Sequence, residues 1–294
     1  MPLPAFDASS YLAHLAGPAG DPRWGLARAE GSISYDPWPG ASRGAPWREF
    51  TRSDALQCIA ERGGVGFIGD SVQRETVNAL LLLLGAGESV DAAVPHAQQQ
   101  YLRDFEVPGN ASASARVAFR FATSLHPAAG AAAAELLALP VGALVVASGF
   151  WDLNPGQGGG DDASALTTYA VRLARFLQGL AAHIPEGTAL VWRSITPIAH
   201  ARAPVDRRDY LSLGRTTAAN ALARRLLQAW QGRSAWAIVD SALLMPPGDD
   251  TLVSGDGYHP EPSTLRLFVY ALLSELCPHQ GWQWGSALDA LAQE

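Results

Sequence analysis

The chain has 294 residues, with 28 acidic residues against 21 basic ones and a formal net charge of −7, and every basic residue is arginine because the sequence contains no lysine. That absence excludes Schiff-base and pyridoxal-phosphate lysines, a Ser-Lys dyad and a Walker A phosphate loop, all of which need the amine. Hydrophobic residues make up 48% and charged residues 17% of the chain, a globular profile able to fill a large core, and a net negative charge without an arginine cluster argues against a nucleic-acid partner. The longest apolar run, Ala79 to Leu84, is too short to span a bilayer, so no integral membrane segment is expected. Met1 to Ala19 lacks a basic start followed by an apolar core, and no signal peptide is expected either. Two cysteines, Cys58 and Cys277, are too few for a disulfide framework or a zinc site and leave room for one bridge. The seven histidines include no HExxH and no pair at metal-ligand spacing, so neither a metal nor another cofactor is expected.

Residues 1–50 are rich in Pro, Gly and Trp (Trp24, Trp38, Trp47), show little periodicity and read as an irregular arm packed on a domain at 51–278, with 279–294 as a tail. Val65 to Ile68 is a short apolar strand ending in Gly69-Asp70-Ser71, and a helix continues through Thr76 to Leu84, closed by Gly85. Arg116 to Ala122 alternates as a strand after a Pro-Gly-Asn-Ala-Ser turn, the Ala129 to Ala134 run begins a helix, and Leu144 to Ala147 is a fully apolar strand. Helix then follows at Leu166 to His183, strand at Ala189 to Ile195, helix at Ala218 to Trp230, strand at Trp236 to Val239 and helix at Thr264 to Leu276. Strands alternating with helices of this length imply βαβ units and a parallel sheet covered on both faces. The loops at Gly69–Ser71, Gly149–Gly160, Thr196–Asp209 and Ser241–His259 each follow a strand, at the end where open α/β sheets place their ligands.

Ser71 falls at the start of a helix, where backbone N–H groups and the helix dipole favour developing negative charge; an N-cap role for Asp70 or Ser71 explains the same residues without chemistry. Asp256-Gly257-Tyr258-His259 lies between the last strand and the last helix. A serine hydroxyl needs a base to become a nucleophile, histidine is suited to that work near neutral pH, and an acid three residues earlier can fix its tautomer.

Phe67-Ile68-Gly69-Asp70-Ser71-Val72-Gln73-Arg74 resembles the GDSxxR block of the PC-esterase branch of SGNH hydrolases, and Asp256-Gly257-Tyr258-His259 resembles its DxxH block. Ser148-Gly149-Phe150-Trp151-Asp152-Leu153 is similar to the Trp-containing central block of that branch. The placing of Cys58 and Cys277 is similar to that in the sialic acid O-acetyltransferase domain, so the resemblance runs from Trp47 to Cys277. It implies a three-layer α/β/α flavodoxin-like SGNH fold on a central parallel sheet of about five strands. It also implies Ser71 as nucleophile, His259 as base and then acid, and Asp256 as its orienting partner. Gly69, Asp70, Arg74, Gly149, Trp151, Asp152 and Asn154 are the residues it suggests for the oxyanion hole or substrate pocket.

SGNH enzymes outside this branch carry a Gly-x-Asn-Asp block whose Asn enters the oxyanion hole. Here Trp151 takes that place, with Asn154 or Gly109-Asn110 as candidate donors. Trp151 reads either as a pocket wall or as a core aromatic, and the arm tryptophans and Tyr35 as packing or as sugar-stacking faces. Arg193, Arg202, Arg207 and Arg208 read as a solvated loop or as a carboxylate or phosphate clamp.

The implied activity is removal of a short acyl group, acetyl by the resemblance, from a small-molecule or glycan ester. The alternatives are a carbohydrate O-acetyltransferase using the same triad with an acetyl donor, a lipid ester hydrolase, and a binding module that has kept the fold. The sequon Asn110-Ala111-Ser112 and a cysteine bridge point to an oxidising lumen or a secreted protein, whereas a chain complete as it stands reads as cytosolic.

Overall fold

The computed structural model describes residues 28–29, 32–33, 49–86, 103–108, 114–125, 127–154, 162–204, 210–230, 232, 234–245 and 250–277. Two compact units divide the chain, Trp47–Pro278 and, separately, Met1–Pro46 with His279–Glu294. In the latter the described residues are a short antiparallel pair, Arg28–Ala29 against Ser32–Ile33, so Trp24, Trp38 and Tyr35 lie outside the described residues, as does Trp47.

The larger unit opens with helix α1, Arg52–Glu61, started by a capping box in which Thr51 and Asp54 satisfy each other's backbone N–H groups. Ala55, Cys58 and Ile59, at helical spacing, turn inward. Strand β1, Val65–Gly69, is buried on both faces along its whole length and runs directly into helix α2, Ser71–Leu83. Asp70 caps α2 by accepting from the Val72 N–H at 3.0 Å, which makes Ser71 the first residue of the helix, as the sequence reading had it. There follow β2 (Arg103–Pro108), β3 (Ser114–Phe121), α3 (Pro127–Ala138), β4 (Ala143–Ala147), α4 (Asp162–Ala181), β5 (Ala189–Arg193), α5 (Leu213–Gln228), β6 (Trp236–Val239), the single turn α6 (Ser241–Leu244), a 3₁₀ turn at Asp250–Leu252 and α7 (Pro262–Leu276).

The six strands form one sheet in the order β2-β3-β1-β4-β5-β6. Strands β3, β1, β4, β5 and β6 run parallel, and β2 lies antiparallel on β3 at the edge. Helices α1, α2 and α7 cover one face, meeting Val65, Phe67, Val145 and Val191. Helices α3, α4 and α5 cover the other, which gives the three-layer α/β/α arrangement with a five-stranded parallel centre. Cys58 of α1 and Cys277, just past α7, are bridged across a sequence separation of 219 residues, tying the start of the unit to its end. Strand β2, helix α1 and the turn α6 are additions to the elements expected from sequence.

Candidate active site

The carboxyl ends of β1, β4 and β5 meet the amino end of α2, and the loop between β6 and α7 reaches the same place. Gly69 closes β1 where no side chain fits: a Cβ there would stand 2.6 Å from the Ala147 carbonyl oxygen and 2.5 Å from Gln73 Cβ. This close approach lets the chain turn from strand to helix within two residues and present Ser71 on the first turn of α2, whose first N–H groups have no partner within the helix.

His259 lies 188 residues further on, yet its Nε2 is 2.8 Å from Ser71 Oγ. Its Nδ1 is 2.6 Å from Asp256 Oδ2. The second oxygen of Asp256 accepts from Ser254 Oγ at 2.7 Å and from the Tyr258 and His259 amides at 3.0 Å each. Partial burial opposes ionisation, but the His259 ring and these donors outweigh it and bring the Asp256 carboxyl down to about 2. The loop is fixed from both sides. Val253 bridges Pro260, Ser254 N–H donates to the His259 carbonyl at 2.7 Å, and Arg202 Nη1 donates to the Val253 carbonyl at 3.0 Å. Gly257 holds φ +82°, and a Cβ there would stand 2.3 Å from the Ala203 amide nitrogen, so only glycine lets the two loops close on each other.

The other expected residues are distributed unevenly. Asp70 is buried beneath Ser71, its carboxyl raised by burial against the pull of Arg193. Arg74 is half-buried one turn along α2, with its backbone N–H on the Asp70 carbonyl at 3.0 Å. Trp151 is half-buried in the turn after β4 and begins an aromatic run: its ring centroid is 6.2 Å from Phe150, Phe150 is 5.8 Å from Tyr258, and Tyr258 is 4.3 Å from His259. Gly149 precedes Phe150 and packs against Ile195 and Tyr169. Asp152 is fully buried, and its carboxylate is engaged by Leu125 N–H, Ser148 Oγ and Arg172 Nη1 at 3.1, 3.2 and 3.0 Å. Burial raises the Asp152 carboxyl even against the Arg172 hydrogen bond. Asn154 is half-buried at the end of that turn, with its N–H on the Trp151 carbonyl at 3.1 Å. Gly109 and Asn110 lie outside the described residues, as do Arg207 and Arg208.

Two polar residues join the site without having been expected there. Arg193, read from sequence as part of a solvated loop or clamp, ends β5 and is buried. Its Nε donates to Gln73 Oε1 at 2.9 Å and its guanidinium lies 5.4 Å from the Phe268 ring centroid. Burial lowers it to about 10, with Asp70 and Glu75 opposing that shift. Glu75, on α2, brings its Oε1 to 3.6 Å from His259 Nε2. Its position four residues after Ser71 is the signal that places it on the nucleophile's side of the helix. A small pocket adjoins the site, lined by Asp70, Val72, Ser148, Phe150, Arg193 and Thr196 among others. Among the described residues no group of three or more His, Cys, Asp or Glu converges as a metal-ligand set, and no helix is long and apolar enough to cross a membrane.

No protein-family model and no curated protein sequence matches the chain. Among solved structures it is similar to a GDSL-like lipase from Bacteroides thetaiotaomicron, at 12% identity and a TM-score of 0.49, over 74% of this chain and 89% of that one. It is similar also to the acetylxylan esterase Axe2 from Geobacillus stearothermophilus, at 13% identity and 0.45, over 76% and 95%. A lipase/acylhydrolase from Enterococcus faecalis aligns at 14% identity and 0.47, over 74% and 99%.

Proposed function

We propose that the chain is a serine esterase of the SGNH superfamily, PC-esterase branch, that removes a short acyl group, acetyl first of all, from a carbohydrate hydroxyl through an ester of Ser71. The observation that carries this reading is the unbroken series from Ser71 Oγ to His259 Nε2 and from His259 Nδ1 to Asp256 Oδ2, at 2.8 and 2.6 Å. An ionised carboxylate only accepts, so Nδ1 carries the ring proton and Nε2 is left as the base toward the Ser71 O–H.

In acylation the Oγ–H bond breaks, its proton passes to Nε2, and the Oγ electron pair bonds to the ester carbonyl carbon. Collapse of the tetrahedral adduct breaks the bond to the alcohol oxygen, which takes the Nε2 proton as it leaves. Water then repeats the sequence on acyl-Ser71. Its proton goes to Nε2, its oxygen bonds to the acyl carbon, and Ser71 Oγ regains a proton as the carboxylic acid departs. The Ser71 N–H and the dipole of α2 serve the carbonyl oxygen as it gains charge, with Arg74 as supporting cation, and one such donor is worth about 10²–10³ in rate. The half-buried rings of Trp151 and Tyr258, packed on either side of the buried Phe150, are of the aromatic kind that suits a sugar.

A fluorophosphonate probe tests the core of the reading. Labelling of the wild type and none of Ser71→Ala is expected, while an unlabelled wild type, or equal labelling of both, overturns it. Acetylated oligosaccharides with free acetate as readout then test the substrate. Acetyl passed to an added glycan rather than to water replaces hydrolysis by transfer, and a preference for long acyl chains replaces the carbohydrate ester by a lipid.

A further inference from the structure

Two carboxylates, not one, flank the imidazole of His259. Asp256 meets Nδ1 at 2.6 Å from the same loop, and Glu75 stands 3.6 Å from Nε2 on α2. We propose that Glu75 is a positioning residue that holds the protonated form of His259 from its Nε2 side, so that its attraction acts during proton transfer and not in the resting site. This rests on the serine-ester reading above.

What Glu75 contributes depends on when the ring is charged. At rest Nε2 presents a lone pair to the Ser71 O–H, and a carboxylate 3.6 Å from that lone pair gains nothing from it. Once the Ser71 proton has moved to Nε2 the ring is a cation, and the same carboxylate faces an N–H and a positive charge. Only an interaction stronger in the transition state than in the ground state raises the chemical rate, and Glu75 meets that condition where a partner of the resting ring does not. The Glu75 side chain is 26% exposed and that of His259 16%, so water screens the attraction in part and does not abolish it. When Nε2 passes its proton to the departing alcohol, the ring loses its charge and this attraction ends. The carboxylate neither gives nor takes a proton, and no atom is left over.

The titratable groups that face the ring are Asp256 and Tyr258 on its own loop, Glu75 on α2 and, through its charge, Asp70 just ahead of α2. Arg193, at the end of β5, is electrostatically coupled to both Asp70 and Glu75, and of the carboxylates around the ring Glu75 is the one 3.6 Å from Nε2.

The test is the rate of fluorophosphonate labelling of Ser71 from pH 4 to 9 in wild type, Glu75→Gln and Glu75→Asp, with titration of the His259 ring followed by NMR in ¹⁵N-histidine-labelled protein. Glu75→Gln keeps the shape and removes the charge. Its plateau rate is expected to fall roughly 10-fold. The acid limb of its labelling rate is expected to move to lower pH together with the NMR ring signal, because the variant lacks the carboxylate 3.6 Å from Nε2. Glu75→Asp should recover part of both. A Gln variant that labels at the wild-type rate with an unmoved limb overturns the proposal, as does a lower rate with an unmoved ring midpoint, which is the mark of a packing role. Should the wild type not label at all, the serine-ester reading falls, and the ring titration still decides whether Glu75 acts on His259.

Discussion

The turn after β4 and the loop after β6 stand side by side at the carboxyl edge of the sheet, and each centres on an aspartate with several hydrogen-bond partners. Asp152, in the first, takes the Leu125 N–H, the Ser148 hydroxyl and Arg172. Asp256, in the second, takes the Ser254 hydroxyl, two amides and the His259 ring. Their ionisation diverges: burial lifts the Asp152 carboxyl above its ordinary value, while the donors around Asp256 bring it to about 2. The count of partners does not separate them; the identity of one partner does. The Asp152 contacts lead to backbone and to a compensating cation, which makes it a tie between the β4 turn, the segment before α3 and α4. One Asp256 contact leads to an imidazole whose other nitrogen faces a hydroxyl, so the geometry continues outward to Ser71.

If that contrast is right, the two aspartates fail in different currencies. Asp256→Asn keeps size and loses the acceptor that fixes the His259 tautomer, and kcat on a short acyl ester should fall by about 10³–10⁴ with a melting temperature close to that of the wild type. Asp152→Ala should do the reverse. Removing one partner of a buried ion pair typically costs about 3–5 kcal/mol, read by urea unfolding, while the folded fraction keeps its kcat within a few-fold. An Asp152 variant that loses rate at full stability would return this residue to the substrate site, where the sequence reading put it. The Cys58–Cys277 bridge belongs on the scaffold side of the comparison. Replacing both cysteines by serine should cost about 2–5 kcal/mol, as expected for a cross-link closing a long loop, and leave the labelling rate of Ser71 unchanged below the melting point.

The sequence made the centre of the fold legible and its margins obscure, for physical reasons. Val65–Gly69 and Ala143–Ala147 are buried on both faces and therefore read as unbroken apolar runs. Arg103–Pro108 is the antiparallel edge strand, and its charges and proline, devices that keep an edge from pairing further, erase the pattern that would announce it. Helix α1 buries only Ala55, Cys58 and Ile59, too thin a stripe to stand out, although Thr51 and Asp54 stand at capping-box spacing ahead of it. That Ser71, Asp256 and His259 would come together was legible because each motif is local and sits in a loop at the same end of the sheet. Arg193 and Glu75 were not: the strand carrying Arg193 was read, but an arginine at its end gives no sign that it will be buried on Gln73, and nothing within α2 tells Glu75 that His259 will arrive from 184 residues away.

The smallest expected effect is on acid stability, and it separates the two aspartates by sign. Asp256 has an ordinary value of 3.8 and about 2 in the folded chain, so its carboxylate stabilises the fold above about pH 4, and that contribution is lost as the pH falls toward 2. Asp152 works the other way. Its folded value lies above 3.8, so ionising it costs stability as the pH rises, and it adds nothing to the acid loss. The melting temperature of wild type minus that of Asp256→Asn should therefore shrink between pH 5 and pH 2, by only about 2 °C because water screens a carboxylate this exposed. The corresponding difference for Asp152→Asn should move in the opposite direction over the same range. Parallel curves for the two variants would show that both carboxylates meet the same surroundings, and the distinction between a tie and a site would then have to rest on kinetics alone.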